Sequence, residues 1–126
     1  MNQPTGRTVD ESRPIFLQIA EQIENDIIDG TTPEESQVPS TNEFAAFYRI
    51  NPATAGKGVN LLVDEEILYK KRGIGMFVAT GARDILVAKR RDHFTAEFVQ
   101  PLLAEAAKLG ITTQQLAEMI TKGTAQ

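Results

Sequence analysis

The chain has 126 residues, of which 41% are hydrophobic, and this length predicts one ordinary domain, or one domain with a short appendage. It contains no cysteine and one histidine, which excludes a disulfide scaffold, a cysteine zinc site and a thiol nucleophile and disfavours a Ser-His-Asp triad. The formal net charge is −4, and no apolar run approaches the roughly 20 residues that a membrane span needs. We therefore expect a cytoplasmic protein with no metal site and no cofactor.

The first regular pattern follows a polar stretch, residues 1–11, which lacks periodicity and which we expect to be disordered. Pro14 begins a predicted helix, with Ser12 or Arg13 as the capping residue, and Gly30 ends it. Apolar side chains recur along this helix at every fourth position, with three further apolar neighbours: Ile15, Ile19, Ile23 and Ile27, joined by Phe16, Ala20 and Ile28. This spacing predicts an amphipathic helix.

Two further helices are predicted from their capping signals. Ser40 and Glu43 have the spacing of a capping box ahead of a helix of two turns, and the pair Asn51-Pro52 opens the next helix. The apolar face of this third helix is predicted to carry Ala55, Val59, Leu62 and Val63. The opposite face is polar and made mostly of small residues, and it carries Ala53, Lys57, Asn60 and Asp64.

A basic hairpin is predicted next. Ile67–Lys71 and Met76–Thr80 are short strand-like runs on either side of Arg72-Gly73-Ile74-Gly75. Residues 67–91 hold seven Lys and Arg residues against one acidic residue, whereas residues 1–66 hold four against twelve. Because attraction of phosphate depends on the local charge, the acidic total does not exclude a nucleic-acid partner.

Two short capped helices followed by a basic hairpin predict a winged helix-turn-helix at residues 12–80, in a mainly α fold with a small β-hairpin. The polar face of the third helix can enter a DNA major groove, which is about 12 Å wide, and helix N-termini attract phosphates. A winged helix that binds a protein without binding DNA is the alternative. The candidate DNA-binding residues are Ser40, Thr41, Asn42, Asn51, Ala53, Thr54, Lys57, Asn60, Lys70, Lys71, Arg72 and Gly73.

Two roles stay open within this set. Lys57 is the best candidate to contact a base edge, since lysine to guanine is a common contact, but a phosphate contact or plain solvent exposure fits the pattern equally well. Ser40 and Asn51 are helix caps in the first place, and any contact of theirs with phosphate is additional.

Three stretches of the chain resemble the GntR family of transcription regulators: residues 14–20 (PIFLQIA), 38–45 (VPSTNEFA) and 68–78 (LYKKRGIGMFV). They occur in the family's order and spacing over residues 14–79. The sequence Asn51-Pro52-Ala53-Thr54 and the short tail resemble the YtrA-type subgroup in particular. The resemblance implies a homodimeric bacterial repressor, often of genes for ABC transporters, that a small effector releases from DNA.

The sequence departs from the family pattern in the second and third predicted helices and just after them. Asn42, Pro52 and Gly56 stand where family members commonly carry arginine, and Glu66 stands where glycine is usual. Gly56 and Gly58 each cost the third helix about 1 kcal/mol relative to alanine. Two explanations remain. Either the sequence has drifted and the protein binds DNA more weakly, or the protein recognises a different operator to which the backbone of the third helix comes close.

Residues 81–126 are predicted to form a helical dimerisation tail. Helical periodicity returns from Arg83, Pro101 should kink or restart this helix, and Gly110 ends it before a second capping box at residues 112–115. The tail's apolar residues pack either on the chain's own winged helix or on a partner subunit. We favour the partner, because two tail helices cannot enclose this surface. The predicted dimer interface is Ile85, Phe94, Phe98, Leu102 and Leu109.

These patterns predict a transcription regulator, most simply a repressor, that binds a palindromic double-stranded DNA operator as a homodimer. A small-molecule effector of unknown identity is a further expected partner. We do not expect an enzyme, since nothing in the sequence pairs the carboxylates with a nucleophile or a set of metal ligands.

Overall fold

A computed structural model describes residues 12–124, so the disorder predicted for residues 1–11 lies outside the described residues. The elements follow in the order α1 (Ile15–Ile28), α2 (Thr41–Tyr48), α3 (Pro52–Asp64), β1 (Leu68–Lys71), β2 (Gly75–Val78), α4 (Ala82–Phe94), a π-helical turn (Thr95–Val99), α5 (Gln100–Lys108) and α6 (Thr113–Thr124). The strands form one antiparallel hairpin, in which Leu68 pairs with Val78 and Lys71 with Gly75. The predicted mainly α fold with a small hairpin is confirmed.

The described residues fall into two compact units, which divide between Val87 and Ala88. The first unit has a continuous core to which every one of its helices and strands contributes. Its buried apolar side chains are Ile19, Ala20, Ile23, Ile27, Val38, Phe44, Ala45, Ala55, Val59, Leu62, Ile67, Leu68, Val78, Ala82 and Leu86. The predicted apolar faces of α1 and α3 therefore do face this core, with Ile15, Ile28 and Val63 only partly buried; Phe16, predicted on the α1 face, is not among the core residues.

The helix starts agree with the sequence at α2, α3 and α6 and differ at α1. Ser40 forms the full capping box with Glu43, and Asn51 caps α3 with Pro52 in its first turn. The backbone N–H of Gln115 donates to Thr112 Oγ1 at 3.1 Å, as expected of the second box. The prediction of Ser12 or Arg13 as the cap of α1 is wrong: Pro14 is itself the N-cap residue and offers no side-chain hydrogen bond, because its ring carries no acceptor.

Helix α3 packs tightly against α1 at Gly58. A Cβ atom built on Gly58 would lie 2.6 Å from the backbone oxygen of Phe16 and 3.3 Å from the Ile19 side chain. No side chain fits at that distance, so the glycine has a packing reason that offsets its poor helix propensity. The close backbone approach that the sequence suggested toward DNA is, at this position, an approach toward α1.

Helix α3 ends in a Schellman turn that places a glutamate in an unfavourable conformation. The N–H of Ile67 donates to the carbonyl of Leu62 at 2.9 Å, and the N–H of Glu66 donates to that of Val63 at 3.0 Å. Glu66 consequently has a φ of 64°, in the left-handed region where a Cβ atom is disfavoured. This is the position at which the family resemblance leads one to expect glycine.

In the second unit, a new helix starts at Pro101. The sequence predicted either a kink or a restart at this proline, and the structure shows the restart. The π-helical turn Thr95–Val99 comes directly before α5, and Pro101 stands in the first turn of α5. A proline removes one backbone donor and its ring crowds the carbonyl four residues earlier, so a locally wider turn accommodates it. Ala106 of α5 and Leu116 of α6 are the buried apolar residues among those described here.

We predict that Gly58→Ala lowers the free energy of unfolding by about 1–3 kcal/mol, because the new Cβ forces α1 and α3 apart. Gly56→Ala is the matched control, since its Cβ would meet only Thr41 Cγ2 at an ordinary 3.5 Å. It should raise stability by up to about 1 kcal/mol through helix propensity. Urea unfolding of both variants provides the measurement, and a Gly58→Ala variant as stable as the parent would contradict the packing assignment.

A second prediction concerns the end of α3. Glu66→Gly should raise the free energy of unfolding by about 1 kcal/mol, because glycine adopts the left-handed conformation without a Cβ penalty. Glu65→Gly is the control: its φ of −86° needs no glycine, and added backbone freedom should lower stability. If both glycine variants lose stability in thermal and urea unfolding, the strain assigned to Glu66 is absent.

Candidate nucleic-acid interface

The outward face of α3 is polar, as the pattern predicted. Ala53, Lys57 and Asn60 are exposed, and Thr54 is partly buried. They lie opposite the fully buried Ala55 and the other core residues of the helix. The core of the first unit therefore sets the rotation of α3 about its axis and presents this polar face to solvent.

The N-terminal ends of α2 and α3 hold the next group of candidate residues. Ser40 Oγ accepts from the backbone N–H of Glu43 at 3.1 Å, and Asn51 Oδ1 accepts from that of Ala53 at 2.7 Å. Both side chains therefore act as caps in the structure. Thr41, in the first turn of α2, lies close to Gly56 of α3, so the start of α2 adjoins the polar face of α3.

Lys57 is held by an aromatic ring that sequence reasoning placed with the apolar residues of α1. The Nζ atom of Lys57 lies over the Phe16 ring, 4.2 Å from its centre, which is a cation–π contact. A groove of about 540 Å³ runs along this side of α3; its lining is Phe16, Ala53, Gly56, Lys57, Asn60, Leu61 and Asp64. No local pattern in the sequence indicated this contact.

The hairpin, which we call the wing, carries the basic candidates at its open end. Lys70, Lys71, Arg72 and Gly73 are all exposed, and Gly73 turns the chain with a φ of 77°. The Nζ atom of Lys71 lies 4.2 Å from the centre of the Phe77 ring on the facing strand. The structure thus brings these four residues together at one tip, where they can meet a phosphate backbone.

The segment between α1 and α2 fixes the position of the wing. The N–H of Val38 donates to the Met76 carbonyl at 2.9 Å, and the N–H of Val78 donates to the Ser36 carbonyl at 3.0 Å. At the tip, Gln37 Nε2 donates to the carbonyl of Ile74 at 3.1 Å. Residues 35–38 therefore run beside β2 as a third line of hydrogen bonding, and Gln37 tethers the tip.

Two glutamates of the same segment connect the wing to α4. Glu34 accepts from the backbone N–H groups of Gly81 and Arg83, at 2.9 and 3.1 Å, and so caps α4. Glu35 accepts from the Tyr69 hydroxyl at 2.5 Å and from the hydroxyl of Thr80. These six residues join the wing, α4 and the loop after α1 within the first unit.

The hydrogen bonds at Glu35 also shift two pKa values in opposite directions. The Thr80 and Tyr69 hydroxyls lower the pKa of Glu35, so its contribution to stability is complete above the ordinary carboxyl pKa and is lost as pH falls through the lowered value. The bond to Glu35 raises the pKa of Tyr69, so that contribution is present below the ordinary phenol pKa and is lost as pH rises through the raised value. The contact is therefore intact across the neutral range.

Among residues 12–124, no helix is long and apolar enough to cross a membrane. In the same range, no three His, Asp or Glu side chains are grouped so that they could hold a metal ion.

Comparison with known proteins assigns the family. The family model described as bacterial regulatory proteins, gntR family, matches residues 16–78. The transcriptional repressor YtrA of Bacillus subtilis (strain 168) is 28% identical over 109 residues, which cover 86% of this chain and 83% of YtrA. The sequence resemblance to this family and to the YtrA type is thereby confirmed.

Solved structures agree with this assignment. A GntR-family transcriptional regulator from Bacteroides thetaiotaomicron is 34% identical and covers 88% of this chain and 96% of its own, with a TM-score of 0.68. The DNA-binding domain of AraR, solved in complex with operator ORX1, is 25% identical and covers 61% of this chain and all of its own, with a TM-score of 0.55. Such proteins are regulators and not enzymes. The chain belongs to the GntR family of DNA-binding transcription regulators.

Proposed function

We propose that the chain is a repressor that binds a palindromic operator as a homodimer, with α3 in the major groove. The observation that carries this proposal is the exposed polar face of α3, held on the same core as the basic wing. An α-helix fits the major groove, and a wing beside it reaches the neighbouring backbone or minor groove. Repression is inferred from the likeness to YtrA.

The candidate residues divide into three roles in this proposal. Thr54, Lys57 and Asn60 point away from the core and would contact base edges. Ser40 and Asn51 hold the helix starts, with Thr41, Asn42 and Ala53 beside them, so that backbone N–H groups face phosphate. The wing residues Lys70, Lys71, Arg72 and Gly73 would contact phosphate or sugar, which positions the protein without specifying sequence.

The homodimer is inferred from apolar side chains that the single chain leaves exposed. Phe94 and Phe98 are 54% and 63% exposed, and their ring centres lie 5.6 Å apart. Ile85, Leu102 and Leu109 are exposed as well. Large apolar side chains exposed at a surface mark a contact site, and a second copy can cover them with the same surface.

An effector that releases the operator would bind between subunits or against the winged helix in this proposal. Ala106 and Leu116 are the buried apolar residues in the described part of the second unit, which leaves too little interior to enclose a ligand. We infer that the effector acts at one of these two places and not in a cavity within the second unit.

We predict that Arg72→Ala and Lys71→Ala each weaken binding to all DNA sequences to a similar degree. Each change should also lower the slope of log affinity against log salt by roughly one unit, because one phosphate contact is lost. Lys108→Ala, which removes a charge from α5, is the control and should leave the slope unchanged. Titrations at several salt concentrations give these slopes. Unaltered affinity and slope in both wing variants would remove the wing from the interface, and no salt-dependent binding in the parent would favour the protein-binding alternative.

We predict that Phe98→Asp gives a monomer with near-native helix content and greatly weakened operator binding. A carboxylate buried in the dimer contact without a partner costs several kcal/mol, which is enough to split a modest dimer. Sedimentation and circular dichroism provide the measurements. Phe98→Leu is the control and should remain dimeric. A Phe98→Asp variant that stays dimeric would place Phe98 outside the contact, and one that unfolds would place it in the core of a single subunit.

A further inference from the structure

We propose that Phe16 of α1 is a positioning residue for Lys57, and that its ring fixes where the lysine ammonium meets the operator. The Lys57 Nζ atom lies 4.2 Å from the ring centre. Phe16 is partly buried and is not among the core residues of the first unit, and its ring lies against Lys57 on the side of α3. This inference rests on the proposed function, in which the polar face of α3 reads the operator.

The ring is held in place by a tight backbone contact between the two helices. The backbone oxygen of Phe16 faces Gly58, with no room for a Cβ atom between them. Gly58 is the chain neighbour of Lys57, so the base of the ring and the base of the lysine are anchored at the same contact. Core packing therefore fixes the two backbones from which the ring and the ammonium group reach each other.

Such a contact prepares a lysine for binding without using its hydrogen-bond donors. A lysine side chain has many rotamers, and ordering them opposes binding. Attraction to the ring face restricts these rotamers before DNA arrives, while the three N–H donors remain able to point away from the ring. The exposed groove along α3, which Phe16 and Lys57 line together with Asn60, leaves room for a base edge or a phosphate beside the ammonium group.

A double-mutant cycle tests this coupling. The operator is first selected from a random library with the full-length protein, and binding is then measured to it and to single-base variants of it. Phe16→Leu keeps an apolar side chain but removes the ring, and it should weaken operator binding about two- to five-fold. Phe16→Tyr keeps the ring and should restore parental binding. In a Lys57→Ala background, Phe16→Leu should have no further effect, whereas in a Thr54→Ala background its effect should persist.

A second measurement reads the contact without DNA. In NMR spectra of the free protein, the ε-methylene protons of Lys57 should show an upfield ring-current shift in the parent and in Phe16→Tyr, and lose it in Phe16→Leu. Absence of this shift in the parent, or an undiminished effect of Phe16→Leu in the Lys57→Ala background, would overturn the positioning role. If the shift is present but Lys57→Ala leaves operator discrimination unchanged, the proposed reading face is wrong.

Discussion

The contact between α1 and α3 at Gly58 is the constraint on which the rest of the first unit depends. Gly58 allows the α3 backbone to lie against the Phe16 carbonyl, which buries Ala55, Val59 and Leu62 completely. Once this face is buried, the polar face of α3 can only point outward. The same contact brings Phe16 beside Lys57. The position of a candidate interface residue therefore depends directly on packing in the core.

The second constraint is the loop after α1, which determines where the wing lies relative to the helices of the same unit. Residues 35–38 pair along β2, Gln37 holds the tip, and Glu34 and Glu35 bind α4 and the wing. Glu35 is exposed, and its side chain accepts hydrogen bonds from two hydroxyl groups. In the proposed function, the helix and the wing contact one stretch of DNA, and this loop supplies the fixed spacing between them.

Capping boxes, helical spacing and a glycine-containing hairpin are local signals, and the sequence predicted the corresponding elements correctly. The same signals placed Lys57 and the wing residues at the surface. The Phe16–Lys57 contact, the tether from Gln37 and the reason for Gly58 depend on residues far apart in the chain, and no local pattern contains them. The cap of α1 was predicted wrongly because Ser12 and Arg13 fit the capping pattern while Pro14 takes that position itself. The assignment of individual DNA contacts and of the dimer contact remains a prediction.

The sequence departs from the family pattern at Asn42, Pro52 and Gly56, and the structure shows the surroundings of the last two. Pro52 starts α3 in a position where its missing N–H has no cost, and a Cβ atom at Gly56 would meet Thr41 Cγ2 at an ordinary contact distance of 3.5 Å. With no arginine at these positions, Lys57 is the cation on the outward face of α3, while the wing supplies three more. In this account, more of the affinity comes from phosphate contacts at the wing and more of the discrimination comes from Lys57 and its polar neighbours.

A hydroxyl-radical footprint of the full chain on its selected operator tests the central claim most directly. The account predicts two protected patches related by a two-fold axis, with centres about 34–36 Å apart or a multiple of that distance. Each patch should include a major-groove segment and the neighbouring backbone that the wing reaches. A single patch without two-fold symmetry, or uniform protection without any preferred site, would contradict it.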